Sequence, residues 1–246
     1  FSEAPTDFSA GDIAVSGGQL SAPVVSESDP KVYTATFTPT AGSETTGNVS
    51  VGSGSYFDAA GNAGLGATSP TLTIDTQAPS LLVTSDVASL KAGETATITF
   101  TFSEAPTDFS AGDIAVSGGQ LSALVVSESD AKVYTATFTP TAGSETTASV
   151  MVGAGTYFDA ASNAGAGATS PALTIDTQAP SQLITSDVAS LKAGETATIT
   201  FAFSEVPTDF SANDVAVSGG QLSSLVASES DPKVYTATFT PTAGSE

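Results

Sequence analysis

The chain has 246 residues, 26 of them acidic against five lysines, with no Arg, His, Cys or Trp and a formal charge of −21. Nucleic acid is a poor partner, since binding it needs Lys and Arg to neutralise phosphates; thiolate chemistry and disulfides are absent with Cys, and zinc is not expected without its usual Cys and His ligands. With 40% hydrophobic and 13% charged residues the composition is still that of a folded protein rather than an acidic tail. No apolar run approaches the ~20 residues that span a bilayer, and no secretory signal opens the chain.

The first element, Phe1-Ser2-Glu3, returns as Phe102-Ser103-Glu104 and as Phe203-Ser204-Glu205, a spacing of 101 residues. Residues 1–44 and 102–145 differ only at Pro23/Leu124 and Pro30/Ala131. A period this long matches a self-contained domain rather than a solenoid unit. The segment Asp75-Thr-Gln-Ala-Pro79 returns as Asp176-Thr-Gln-Ala-Pro180 and combines a polar pair with a proline, so it reads as a boundary. We therefore expect a partial repeat over 1–75, a complete one over 76–176 and a partial one over 177–246. A β domain cut at both ends would leave unpaired edges, so a longer array is expected around this segment.

Along the complete repeat, strands are expected at Leu81–Thr84 and then at Thr95–Phe102, where every even position is apolar and Thr95, Thr97, Thr99 and Thr101 face outward. Further strands are expected at Ile114–Ser117, Leu121–Val126, Lys132–Thr139, Ser149–Gly153 and Ala172–Ile175. Turn signals such as Lys91-Ala-Gly93, Gly118-Gly119, Ala142-Gly143 and Asn163-Ala-Gly165 separate them. Seven short strands, A to G, with no helical periodicity predict an all-β, antiparallel sandwich. The Cys…Trp…Cys signature of antibody domains is absent, so the immunoglobulin likeness is architectural. Phe109 and Phe158 are expected to plug the ends of the sandwich. The glycine-rich run Gly61–Gly66 reads as a flexible FG loop.

Asp75-Thr-Gln-Ala-Pro79, Leu90-Lys-Ala-Gly-Glu94 with the strand to Glu104, Asp113–Gly119, Tyr134–Pro140 and Tyr157-Phe-Asp159 together resemble the bacterial immunoglobulin-like (Big) domains. The resemblance covers the whole chain. It implies tandem sandwiches arranged end to end, as in giant surface adhesins of the RTX and biofilm-associated types, and an extracellular place on the bacterial surface. The Asp-Ala-Ala-Gly-Asn loop of that family is intact at Asp58–Asn62. In the next repeat it reads Asp159-Ala-Ala-Ser-Asn163, which puts the turn role of its glycine in question.

The ten acids of residues 76–176 fall at the poles of the expected sandwich or in its linker. Loops BC, DE and FG share a pole with the incoming linker, and loops AB and EF, the latter holding Glu145, share the other. End-to-end stacking would then gather Glu44, Asp75, Glu104, Asp108 and Asp159 at the first junction. The second would gather Asp86, Glu145, Asp176, Glu205 and Asp209. Like charges so close need cancelling, and each repeat offers only two lysines. Ca²⁺, which takes six to eight oxygens in irregular geometry, fits this donor set, and the resemblance also implies calcium at junctions. Against this, polar residues populate loops anyway, acidity aids solubility, and Asp108 and Asp113 serve equally well as turn caps.

Catalysis has no His or Cys to work with, and a carboxylate pair recurring in every repeat reads as structure, so no enzyme is expected. The Asn48-Val-Ser50 sequon is discounted in a bacterial chain. The outward threonines form a hydroxyl face that could meet ice or sugar, although exposed Thr also simply favours strands. The expected function is that of an extender in a bacterial surface adhesin supporting adhesion or biofilm formation. Its partners would be neighbouring repeats of the same longer chain, without nucleic acid or direct membrane insertion. A repeated glycan- or protein-binding module, or a surface-layer or filament protein, is the alternative.

Overall fold

The computed structural model describes residues 1–244. They form two compact units, one of residues 1–141 with 146–175, the other of residues 142–145 with 176 onward. Among the described residues no helix is long and apolar enough to cross a membrane.

The middle repeat carries both sheets of a sandwich. Its strands are β1 (Leu81–Ser85), β2 (Ser89–Lys91), β3 (Ala96–Phe102), β4 (Ile114–Ser117), β5 (Gly119–Leu121), β6 (Val125–Val126), β7 (Val133–Pro140), β8 (Glu145–Val152), β9 (Ala168–Thr169) and β10 (Leu173–Asp176). One sheet runs β5-β7-β3-β1 with β6 also on β7, and the other runs β2-β10-β8-β4 with β9 also on β8. The alternation in β3 works as expected: Ala96, Ile98, Phe100 and Phe102 are buried while the threonines face out. From the opposing sheet Ala148, Val150, Val152, Leu173 and Ile175 close on them to form one core. Each such large side chain contributes about 1.5–3 kcal/mol by leaving water.

Several boundaries differ from the sequence reading. The expected strand Leu121–Val126 is two, because Ser122 turns its hydroxyl back to accept the Thr137 N–H at 2.9 Å and takes the chain off the ladder. Glu145 is not in the EF loop but opens β8. The two- and three-residue strands β2 and β9 were not legible, being too short for a period to show. At the end of the sandwich Tyr157, rather than Phe158, is fully buried. It packs edge-on against Phe102 at 5.0 Å, and Phe109 joins the same cluster.

In the first repeat one sheet is well formed, from Ile13–Ser16, Glu44–Val51, Ala67–Thr68 and Leu72–Asp75. Of the other sheet it holds two small ribbons, Gly18–Leu20 with Phe37–Pro39 and Val24–Val25 with Tyr33–Thr34. The second unit has the reverse composition. Gln182–Ser186, Ala197–Phe203, Val234–Pro241 and Gly220–Leu222 form its sheet, with Val226–Ala227 also on Val234–Pro241. Residues 215–218, which correspond to β4, are not a strand there.

Candidate metal centre

The first boundary segment leaves the strand Leu72–Asp75 and enters β1 through Pro79, which is fully buried. It is tied to the FG loop of the middle repeat, residues 153–167. The Pro79 carbonyl accepts the Ala166 N–H at 2.9 Å and faces the Tyr157 hydroxyl at 3.2 Å. That hydroxyl also reaches the Ala166 carbonyl at 2.9 Å, so its single proton is shared between two acceptors.

This tie places Asp75, from the end of one repeat, against Glu104 in the BC loop and Asp159 in the FG loop of the next. One carboxylate oxygen from each lies within 4.8 Å of the others. Asp159 is buried; Asp75 and Glu104 are half-buried. No lysine pairs with any of the three among the described residues, where the ion pair present is Lys91–Glu94 at 3.7 Å.

Asn163 organises the cluster. Its backbone N–H and its side-chain amide each donate to Asp159 at 2.8 Å, and the amide also reaches the Asp75 carboxylate at 3.3 Å. Burial pushes the Asp159 carboxyl up, but these bonds, helped by the N–H groups of Ala161 and Ser162, outweigh it and hold Asp159 below the usual carboxylate range. Among the described residues no such donors reach Glu104. Burial, then the charges of Asp159, Asp75 and Glu44, push its carboxyl upward. Burial and the Glu104 charge push the Tyr157 phenol up as well. Asn163 went unnoticed in the sequence except as part of a turn. The signal was the Asp-Ala-Ala-x-Asn spacing, repeated at Asp58–Asn62, where Asn62 likewise donates to Asp58 at 2.8 Å and lowers its pKa.

Of the five residues expected at this junction, the fold gathers three. Glu44 stands directly across the ladder from Asp75, near enough for its charge to be felt at Glu104. Asp108 lies outside the trio: its carboxylate accepts the Phe158 N–H at 2.9 Å and latches the BC loop to FG. Of the second set, Asp86 in the first unit accepts the Thr97 N–H at 2.7 Å, an AB-loop latch. Within the second unit, Glu145 begins its strand and is exposed, while Asp176 accepts the Gln178 N–H at 3.3 Å. Glu205 and Asp209 line a shallow groove with Phe203 and Phe210.

The glycine-rich FG run is held rather than loose. Gly64 donates to the Tyr56 carbonyl at 2.8 Å and lies so close to the Tyr56 ring that a Cβ there would overlap it. The substitution of Gly61 by Ser162 in the next repeat does not unmake the turn, because Ser162 adopts the left-handed backbone itself, at φ 69°.

Three converging carboxylates of net charge −3, one of them kept ionised by built-in donors and none neutralised by lysine, make a hard-oxygen donor set. It suits Ca²⁺ better than softer metals. A comparison with curated proteins finds no match. The family model of the bacterial Ig-like domain matches three consecutive segments, residues 1–74, 75–175 and 176–246. With both sheets of the sandwich seen in the middle repeat and a match over the whole length, the chain belongs to the bacterial Ig-like domain family, as a tandem array.

Proposed function

We propose that this chain is a spacer segment of a bacterial surface adhesin, in which calcium held by Asp75, Glu104 and Asp159 stiffens the junction between consecutive repeats. On this reading the spacer unit is 76–176, flanked by partial units over 1–75 and 177–246. Bacterial Ig-like domains are generally structural rather than catalytic, which supports reading this chain as a spacer. The observation that carries the reading is that carboxylates from both sides of a linker converge with no lysine paired to them among the described residues. Without an ion their mutual repulsion opposes the packed junction; with one, repulsion becomes attraction and the linker loses its freedom. The family, whose domains typically occur in surface or extracellular proteins, supports a surface location. The remaining expected ligands, Glu44 and Asp108 here and Asp86, Glu145, Asp176, Glu205 and Asp209 beyond, are second candidates by charge rather than by convergence.

The test is small-angle scattering with thermal melting of the chain, in millimolar Ca²⁺ and then in chelator. Calcium should lengthen the maximum dimension and raise the melting temperature. Identical curves in both conditions would remove calcium from the account and leave a plain spacer.

A further inference from the structure

The linker between the first and middle repeats is gripped from both sides, each repeat taking hold of different residues. Thr76 commits all its polar groups to the turn of residues 40–43. Its N–H donates to the Ser43 carbonyl at 2.9 Å and its carbonyl accepts the Gly42 N–H at 3.2 Å. Its hydroxyl donates to the Thr40 carbonyl at 2.7 Å and accepts the Ser43 N–H at 3.1 Å. On the far side the Pro79 carbonyl accepts the Ala166 N–H, and Ser80 exchanges bonds with Ser103: its N–H donates to the Ser103 hydroxyl at 2.9 Å and its carbonyl accepts the Ser103 N–H at 3.0 Å. Asn163 reaches over to the Asp75 carbonyl at 3.3 Å. Between the two grips stand Gln77 and Ala78, both exposed. A proline fixes its own φ at about −65° and confines the preceding residue to extended backbone, so Ala78 has little room. The Gln77 N–H is taken by the Asp75 carboxylate at 3.1 Å. Few torsions of the linker are left free.

We propose that the Thr76 hydroxyl is the positioning group of this junction. By clasping the linker to the preceding repeat one residue after Asp75, it sets the direction in which the next repeat leaves. A hydroxyl suits the task because it donates and accepts at once. Without it the Ser43 N–H loses its acceptor, while the Thr40 carbonyl keeps the Ser43 hydroxyl at 2.6 Å. The turn of residues 40–43 then stays closed, but its hold on the linker weakens to the two backbone bonds of Thr76. The same clasp recurs one repeat on, within the second unit. There the buried Thr177 donates its N–H to the Ser144 carbonyl at 2.8 Å and accepts the Ser144 N–H on its hydroxyl at 3.0 Å. The clasp works through hydrogen bonds and needs no ion, so it stands apart from the calcium reading: an ion would act on the carboxylates, the clasp on the backbone beside them.

The test is a distance distribution between two spin labels on the full chain, measured in chelator throughout so that the result is independent of calcium. The chain has no cysteine of its own. Labels at Thr46→Cys in the first repeat and Thr137→Cys in the middle one replace exposed residues on strands. In this background Thr76→Val, which keeps the shape and removes the hydroxyl, should broaden the distribution by about twofold or more, as a linker does on passing from ordered to flexible. Thr76→Ser, which restores the hydroxyl, should return it to the original width. Amide exchange at Val49 and Val51 should be the same in all three chains, because their ladder with Ile13–Ser16 does not involve the turn. That readout separates a loosened junction from a first repeat that has come apart. A Thr76→Val distribution no broader than the original, a Thr76→Ser distribution as broad as that of Thr76→Val, or broadening matched by lost protection at Val49 and Val51 would each overturn the proposal.

Discussion

Ser162 and Gly61 occupy the same turn one repeat apart and share its left-handed backbone, at φ 69° and 83° respectively. For glycine this costs nothing sterically; for serine the Cβ crowds the following carbonyl. The turn is nevertheless kept, since Asp159 and Asn163 on either side bind each other from both backbone and side chain.

Ser162→Gly should therefore stabilise the middle repeat by about 0.5–1 kcal/mol, the relieved strain being partly offset by the greater freedom of glycine in the unfolded chain. The reciprocal Gly61→Ser should cost a similar amount. Denaturant melts of both variants check the pair, and opposite signs are expected.

Removing the Tyr157 hydroxyl leaves the Ala166 carbonyl without its donor, while the Pro79 carbonyl keeps the Ala166 N–H. Tyr157→Phe should cost about 1–2 kcal/mol, typical of a buried hydrogen bond lost on one side only. The loss should concentrate at the boundary, so amide exchange at Ala166 should quicken more than exchange in β3.

Calcium titration should distinguish the converging acids from the latching ones. Asp75→Asn and Glu104→Gln should each weaken calcium binding by about tenfold or more, equal to about 1.4 kcal/mol, as read by calorimetry. Asp86→Asn, outside the converging trio, should weaken binding less than either and mainly loosen the AB loop, because its carboxylate is engaged by the Thr97 N–H. At a hundredfold excess over Kd, calcium should stabilise the wild-type chain by about 2.7 kcal/mol.

Two acids of the cluster respond to pH in opposite directions. Glu104, whose pKa is raised in the folded chain, binds its proton more tightly folded than unfolded. Its contribution is fully present below the ordinary glutamate pKa and is lost as pH rises through the raised value. Asp159, whose pKa is lowered, contributes stability above the ordinary aspartate pKa that is lost as pH falls through the lowered one. In chelator, acidifying from neutral should first stabilise the middle repeat and then destabilise it. Glu104→Gln should abolish the initial rise and leave the later fall, as followed by melts across the pH range.

The sandwich was legible because β3 and β7 alternate over seven and eight residues, long enough for burial to impose a period. Strands of two or three residues carry no period, and the break after Leu121 depends on where a single serine hydroxyl points. Within the site, residue type identified oxygen donors but not their occupation. Asp108 and Asp159 look alike in sequence, yet one carboxylate is spent on a backbone N–H across the loops while the other faces Asp75. Tyr157 and Phe158 are adjacent aromatics, and only the loop's direction decides which one turns inward.

The Pro79 carbonyl is a junction of a second kind. A pull applied along the chain at Asp75 reaches Pro79 before it reaches β1, and Pro79 is bonded to the FG loop that hangs from β8. The load is therefore divided between both sheets at once instead of peeling β1 from its edge. A sandwich gripped through both sheets yields only when several bonds shear together, so the hydroxyl of Tyr157 helps set how hard the array can be stretched before a repeat opens.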